Sequence, residues 1–207
     1  MNLKLVIILV FMRIFLTAQT PDTAFTIAEF KGGYGISSFG EGLKDKYEAG
    51  NFNTSGGFLA SLSAFHKFKK INNLVFGIKF KTLAASPSKG DNGQEMFFNY
   101  WGVATAIKYF PFDKAAQAGF YVQGDFNFIT QFTQKYRTRA NLEFNHQFAI
   151  GRGFTVGLGY DFPNKAKRTM FTVGFEYEYD YRRGEVTGIG FKFFESSNIG
   201  LMAGIKF

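Results

Sequence analysis

Apolar and polar residues alternate along most of this 207-residue chain. The segment Gly119–Phe132 shows the alternation most clearly. Its apolar positions include Phe120, Val122, Phe126, Phe128 and Phe132, and the positions between them include Gln123, Asp125, Asn127 and Gln131. Because successive side chains of a β-strand point to opposite faces, this spacing predicts a strand with one apolar and one polar face. A register shift of one residue would exchange the two faces, so the register is strongly specified.

The same spacing predicts about ten strands of about ten residues each, a length that crosses a bilayer at a tilt. The predicted strands are Thr26–Ile36, Gly57–Phe68, Leu74–Ala84, Phe97–Phe110, Gly119–Phe132, Leu142–Ile150, Phe154–Phe162, Met170–Tyr181, Thr187–Phe194 and Asn198–Phe207. We expect tight turns at Gly151–Gly153 and Arg182–Glu185, and the change of apolar parity at Gly32 and Gly33 predicts a β-bulge. The count becomes eight strands if two short segments are hairpins within loops.

Two kinds of barrel have such strands. A secreted lipocalin-like barrel turns its apolar face inward around a ligand, whereas an outer-membrane barrel turns it outward against lipid. Here the polar face of one strand carries Glu176, Glu178 and Asp180, and aromatic residues concentrate near strand ends, at Tyr109–Phe112 and Tyr177–Tyr181. A charged inner wall and aromatic girdles favour the second kind. We therefore predict a closed antiparallel up-and-down transmembrane β-barrel of ten strands, or alternatively eight.

The inward positions of these strands predict a polar network in the lumen. Its expected members are Lys79, Lys81, Asp125, Glu143, Glu176, Glu178, Asp180 and Lys192. Lys108 and Lys206 have the same inward parity. Because cations face the carboxylates, a salt-bridged lumen is favoured over a metal site or an acid–base pair. A barrel of this width leaves little room for a channel.

The beginning of the chain has the features of a secretory signal peptide. A cation at Lys4 precedes an apolar run, and the small residue Ala18 ends it, so residues 1–18 are the predicted signal peptide and residues 19–207 the barrel. Removal of Lys4 and Arg13 leaves 22 of the 24 basic residues against 16 acidic ones, a net charge of +6. These charges form no clustered basic face, so we expect contact with acidic lipid head groups and no nucleic acid binding.

The last strand also alternates up to an aromatic terminus. Its outward positions are Ile199, Leu201, Ala203, Ile205 and Phe207. This pattern resembles the C-terminal signature of Gram-negative outer-membrane proteins, and the whole mature chain resembles the small β-barrel proteins of Bacteroidota, PorT-like domains among them. The resemblance implies a location in the cell outer membrane and recognition of the C-terminal signature by the barrel assembly machinery. As the strand expected to pair with the first, it would also remove the open edge that lipid does not tolerate.

The sequence favours a protein that is not an enzyme and uses no cofactor or metal. Its histidines, His66 and His146, both fall on the lipid-facing parity, away from the inward carboxylates. We expect a structural, surface or accessory protein, in which the loops Ser37–Ser55 and Ala85–Met96 or the outer wall contact a protein partner in the outer membrane, within a larger complex. The alternative is a narrow pore, or a lateral transport barrel for small or apolar solutes.

Overall fold

A computed structural model describes residues 25–39, 55–68, 71–85, 88–89, 95–113, 116–137, 147–163, 169–186 and 190–207. This part of the chain contains eight long β-strands and a two-residue strand. The strands are β1 (Phe25–Phe39), β2 (Ser55–Lys67), β3 (Leu74–Ala85), β4 (Ser88–Lys89), β5 (Glu95–Tyr109), β6 (Gly119–Arg137), β7 (Gln147–Phe162), β8 (Met170–Val186) and β9 (Gly190–Lys206). No helix in the described ranges is long and apolar enough to cross a membrane.

The eight long strands close into one antiparallel barrel. Each pairs with its neighbours along the chain, β3 pairs with β5, and β4 extends the edge of β5 at the loop between them. Closure is made by β1 and β9, whose register runs from Glu29 opposite Lys206 to Phe39 opposite Ser196. A closed ladder satisfies its backbone hydrogen bonds between strands, which hydrocarbon requires. The barrel of the eight-strand alternative is therefore the observed fold.

The count of ten strands is wrong because two pairs of predicted strands are each one continuous strand, and both segments predicted as turns lie within strands. Gly151–Gly153 lies inside β7, and Arg182–Glu185 lies inside β8. The glycines face the lumen: a Cβ added at Gly153 would lie 2.1 Å from Asp180 Oδ1. Their role is to leave space for the large inward side chains of β8. The two last predicted strands are likewise the single strand β9, so Thr187–Phe194 and Asn198–Phe207 are not separate.

The predicted bulge in the first strand is also wrong. The register of β1 against β2 and β9 runs through Gly32 and Gly33 without a shift. The apparent change of parity arises because Ile27 is an apolar residue that faces inward. A bulge occurs instead in β6, where the register shifts between Asn127 and Thr130. The alternation predicted for Gly119–Phe132 therefore holds up to Phe128, and at Thr130, which is buried, the parity is the reverse of the prediction.

The barrel has two distinct ends. We call the end where β1 begins and β9 finishes the terminal end, and the opposite end the loop end. Three connections lie at the terminal end, at residues 68–73, 110–118 and 163–169. The connections at the loop end include most of the predicted loops Ser37–Ser55 and Ala85–Met96, whose residues 40–54, 86–87 and 90–94 lie outside the described residues. The predicted signal peptide and the segment 138–146, with Glu143 and His146, also lie outside them.

The outer wall of the barrel is apolar and the inner wall is polar. Leu201, on the apolar face of the last strand, has 63% of its surface accessible. Ile199, Ala203, Ile205 and Phe207 share that outward face. A wall of this kind faces hydrocarbon when the barrel spans a membrane, since a soluble protein rarely exposes so large an apolar surface.

Candidate functional site

The lumen is filled by charged side chains. Along the described strands, six carboxylates and six cations are buried inside the barrel, and Lys67 is buried at the rim of the terminal end. The carboxylates are Glu29, Asp125, Asp161, Glu176, Glu178 and Asp180, and the cations are Lys31, Lys79, Lys81, Lys108, Arg182 and Lys206. Because buried charges are costly when unpaired, their arrangement determines whether the barrel is stable.

One group of charges, toward the terminal end, is built around Glu29. Lys31 Nζ lies 2.9 Å from Glu29 Oε1, and Lys108 forms an ion pair with Glu29 Oε2. Lys31 also donates to the hydroxyl of Tyr121 at 3.0 Å. The Lys108 ammonium lies 4.2 Å from the centroid of the Tyr121 ring. These contacts join β1, β5 and β6 through the lumen.

A second group lies near the middle of the barrel and is built around Lys79. Its ammonium lies 3.0 Å from Asp125 Oδ2 and 2.6 Å from Glu176 Oε2. Gln123 Nε2 donates to the second oxygen of Asp125 at 2.7 Å. A single cation on β3 therefore neutralises carboxylates on β6 and β8. This group holds three of the residues that the sequence placed in the lumen.

A third group lies toward the loop end and centres on Glu178. Lys81 Nζ lies 2.7 Å from Glu178 Oε1, and the hydroxyl of Tyr100 donates to Glu178 Oε2. Asn127 Nδ2 donates to Glu178 Oε1 and to Asp180 Oδ1, both at 3.0 Å. The carboxylate of Glu178 thus receives hydrogen bonds from three different strands.

Arg182 ends this third group. Its guanidinium lies 2.6 Å from Asp180 Oδ2, donates to the hydroxyl of Ser196, and has its central carbon 5.4 Å from the Tyr100 ring centroid. The sequence prediction placed Arg182 in a turn and did not include it in the network. The alternation along β8 could have identified Arg182, because Arg182 lies two positions after Asp180 on the same inward face.

Sequence reasoning also missed Glu29, Lys31, Tyr100 and Tyr121. Glu29 and Lys31 alternate on β1, but the inward apolar residue Ile27 hides their parity. Lys192 lies in β9 opposite Gly184, and its side chain is outside the described part. The remaining predicted members, Lys79, Lys81, Asp125, Glu176, Glu178 and Asp180, are all buried in the lumen.

An apolar plug fills the lumen at the terminal end. Its members are Ile27, Phe65, Val75, Ala106, Phe110, Ala116 and Tyr121. Phe110 was predicted to belong to an interfacial girdle, and that prediction is wrong because its ring is fully buried, whereas Tyr109 and Phe112 are exposed. Beside the plug, Lys206 Nζ lies 2.8 Å from Asp161 Oδ2 and donates to the carbonyl of Gln117.

The lumen side chains that the structure describes are buried against one another. A cavity of about 10 Å³ lies beside Lys81, Tyr100, Glu178 and Asn198. A volume of this size accommodates about one water molecule. The described lumen is thus a packed polar core with an apolar plug below it.

The histidine that the structure describes, His66, lies apart from the inward carboxylates. His66 is on the outward parity, where its Nδ1 lies 3.3 Å from Thr26 Oγ1 and its ring packs edge-on against Phe68. The inward carboxylates are bound by cations and amides rather than by a histidine. Among the described side chains, no group of three or more His, Cys, Asp or Glu is placed to hold a metal ion.

Comparison with known structures identifies the class of this fold. The barrel is similar to Ail, the attachment invasion locus protein of Yersinia pestis, whose structure was solved in complex with the heparin analogue sucrose octasulfate. The TM-score is 0.51 and the sequence identity 13%, and the match covers 88% of this chain and 99% of Ail. At this identity the similarity concerns the fold alone. The chain has the fold of a small outer-membrane β-barrel protein. Its apolar outer wall agrees with a location in the outer membrane.

Two further structures of outer-membrane and surface proteins cover similar shares of the chains. Neisserial surface protein A matches with a TM-score of 0.49 and 14% identity, over 89% of this chain and 98% of its own. A major outer membrane protein of Thermus thermophilus matches with a TM-score of 0.48 and 12% identity, over 87% and 98%. No family model matches the sequence, and no curated protein matches it.

Proposed function

We propose that this protein is a non-enzymatic outer-membrane barrel that acts as a structural, surface or accessory interaction protein, within a larger outer-membrane complex. The observation that carries the proposal is the filled lumen. Three groups of ion pairs cross it, and the cavity beside Tyr100 and Glu178 measures only about 10 Å³. Because charged side chains fill the described part of the lumen, contacts at the outer wall and the loops are the candidates for function.

The proposal includes the biogenesis of the barrel. Residues 1–18 would direct export and be removed, and the alternating residues Ile199–Phe207 would be read by the barrel assembly machinery. The terminal end would then face the periplasm and the loop end the cell exterior. The high phenylalanine content and the Ala18-Gln19 junction support a protein of the Bacteroidota type.

Single-channel recording in planar bilayers separates this proposal from a pore. We expect the reconstituted wild-type barrel to give no stable conductance steps. We expect the Lys81→Ala/Glu178→Ala variant to conduct more than wild type, because it removes two large side chains that line the cavity. Steps in wild type whose size changes on Glu178→Gln would contradict the proposal and favour the pore alternative.

A second experiment addresses the partner. The full-length chain, expressed in its native membrane and extracted in mild detergent, is expected to co-purify with a defined set of outer-membrane proteins. A mutated barrel with the same closed lumen but shortened 40–54 and 90–94 segments serves as the control for loop contacts. Recovery of the isolated monomer alone after cross-linking in intact cells would contradict the role in a complex.

A further inference from the structure

The connection between β5 and β6 folds over the terminal end of the lumen. Its residues 110–113 and 116–118 are described, and we call this part the lid. Phe110 and Ala116 of the lid are fully buried, although connections between strands normally run over a protein surface. Both belong to the apolar plug, whose other members come from β1, β2, β3, β5 and β6. The lid therefore reaches across the opening of the barrel.

The lid is braced by hydrogen bonds of its own. The carboxylate of Asp113 accepts from the backbone N–H of Gln117 at 2.8 Å and from that of Ala118 at 3.1 Å. The N–H of Ala116 donates to the carbonyl of Asp113 at 3.0 Å. An Asp side chain that satisfies nearby backbone N–H groups stabilises a turn without a strand partner. These bonds join the two described parts of the lid into one unit.

A lysine of the last strand holds the lid from the far side of the lumen. Lys206 is buried and donates to the carbonyl of Gln117 in the lid. Its ammonium also lies 2.8 Å from Asp161 Oδ2 and 5.1 Å from the centroid of the Phe110 ring. Because β7 and β8 separate β9 from β6, the contact with Gln117 crosses the end of the lumen. A hydrogen bond from an ammonium is stronger than one between neutral groups.

Asn73 holds the lid from the near side, beside β3. Its Nδ2 donates to the carbonyl of Phe110 at 2.7 Å, and the N–H of Phe110 donates to the carbonyl of Asn73 at 2.7 Å. The backbone of Asn73 has a φ of 62°, a conformation that glycine adopts without strain. Asn73→Gly therefore removes the side-chain bond to the lid and keeps the backbone conformation.

The lid and the rest of the plug cover a charged group of the lumen. Lys108 precedes Phe110 by one inward position on β5 and forms a buried ion pair with Glu29. The Lys108 ammonium lies 4.8 Å from the centroid of the Phe65 ring, and the Phe110 and Tyr121 rings lie 5.8 Å apart between centroids. This aromatic layer separates the ion pair from the solution at the terminal end.

We propose that the lid is a latched closure of the terminal end, held by Lys206 and Asn73, and that it opens as a unit while the barrel wall stays folded. The wall does not depend on the lid, since the eight long strands form a closed ladder with one another. A connection held by a few bonds opens at a lower free energy than a sheet does. In the open state the pair of Glu29 and Lys108 is accessible from the terminal end.

Cysteine labelling tests the closure, because the chain contains no cysteine. Ala116→Cys reports on the lid, Ala104→Cys reports on the middle of the lumen, and Phe112→Cys is the exposed reference. Ala116 and Ala104 are fully buried, whereas Phe112 is 87% exposed. The probe is a sulfonated maleimide, added to the full-length chain refolded in nonionic detergent. Without latch substitutions, we expect positions 116 and 104 to react far more slowly than position 112.

Substitutions of the two latches should expose position 116 selectively. Asn73→Gly should raise its labelling rate about fivefold and Lys206→Met at least about tenfold, the factors for a lost neutral hydrogen bond and for one from a charged group. The rate follows the open population when the lid recloses faster than the thiol reacts. The combined variant should exceed either single one. Labelling at position 104 should stay unchanged, because the wall remains folded.

Two controls separate the latch from a general loss of charge. Asp161→Asn removes the carboxylate partner of Lys206 but keeps the bond to Gln117, so it should raise labelling at position 116 less than Lys206→Met does. Lys81→Met removes another buried lysine, toward the loop end, and should leave labelling at position 116 unchanged. Folding is checked by the mobility of unheated and heated samples on detergent gels.

Two replacement variants cover a failure to fold. Lys206→Met/Asp161→Asn removes both charges of the ion pair and replaces Lys206→Met. Ala106→Cys, within the plug, replaces Ala116→Cys as the reporter.

Unchanged protection of position 116 in the folded Asn73→Gly and Lys206→Met variants would overturn the latch. Equal increases at positions 116 and 104 would also overturn the proposal, because the whole barrel would then open together. Labelling of position 116 as fast as position 112, with both latches intact, would show that the lid does not close the lumen.

Discussion

The ammonium of Lys79 lies 2.6 Å from Glu176 Oε2, although their strands, β3 and β8, are not neighbours in the barrel. The contact therefore crosses the lumen. The same ammonium lies 3.0 Å from Asp125 on β6. One lysine thus joins three strands at about the middle of the barrel, and its loss would leave two carboxylates without that cation.

We expect Lys79→Met to destabilise the barrel by about 3–5 kcal/mol, the range for removing one partner of a buried ion pair. Glu176→Gln should cost less, because Lys79 keeps Asp125. The Lys79→Met/Glu176→Gln double variant should be less destabilised than the sum of its single variants. Urea unfolding of refolded barrels in detergent measures all three free energies. Strict additivity of the two changes would show that the pair has no coupling.

Tyr100 offers a test that removes one atom from the network. Tyr100→Phe deletes the hydroxyl that donates to Glu178 and accepts from Asn198 Nδ2 at 3.2 Å. We expect a loss of about 1.5–3 kcal/mol in the free energy of unfolding, as for hydrogen bonds to charged groups. Tyr160→Phe on the exposed outer wall is the matched control, with an expected change within about 0.5 kcal/mol. Equal effects of the two substitutions would contradict a packed, hydrogen-bonded lumen.

Gly153 and Gly124 lie on opposite faces of the barrel wall and make a second matched pair. A Cβ at Gly153 would meet Asp180 Oδ1 at 2.1 Å and the carbonyl oxygen of Tyr179 at 2.2 Å, whereas a Cβ at Gly124 would have no atom within 4 Å. We expect Gly153→Ala to destabilise the barrel by about 1–3 kcal/mol through overpacking. Gly124→Ala should change stability by no more than about 0.5 kcal/mol. The same unfolding assay compares them, and a neutral Gly153→Ala variant would be inconsistent with the described contact between β7 and β8.

A substitution at Phe207 tests assembly in cells independently of the stability of the folded barrel. Its backbone exchanges two hydrogen bonds with Ala28, of 2.8 and 2.9 Å, at the seam of the barrel. Phe207→Ala keeps these bonds, so the refolded variant should remain close to wild type in stability while its amount in the outer-membrane fraction of cells falls. Phe112→Ala removes another exposed ring at the same end and should assemble normally. Normal assembly of the Phe207→Ala barrel would argue against the proposed recognition of the C-terminal residue.

Much of the barrel wall is predictable from the sequence because burial and lipid contact alternate with the strand period. Glu176, Glu178 and Asp180 keep that period without interruption, and the structure places all three in the lumen. The strand count is not predictable in this way, because a Gly-Arg-Gly stretch has the composition of a turn. Only the facing strand shows that Gly153 makes room for Asp180.

The membership of the lumen network depends on contacts that no local pattern encodes. Glu29 and Lys108 are 79 positions apart in the chain and meet inside the barrel. The bulge in β6 likewise depends on a partner strand, since it moves Thr130 onto the buried face only through the pairing with β7. Closure of the sheet, rather than any one strand, brings these residues together.

The chain's single tryptophan provides the most direct measurement of whether the apolar wall faces hydrocarbon. Trp101 lies on the outward parity of β5, with its ring stacked on Phe80 at 6.2 Å between centroids. In vesicles, its fluorescence should be strongly quenched by lipids brominated on their acyl chains and weakly quenched by iodide in the buffer. The Trp101→Phe/Leu158→Trp variant, with its indole at mid-wall on β7, should show the same preference more strongly. Quenching of both barrels by iodide, with no response to brominated chains, would contradict the account.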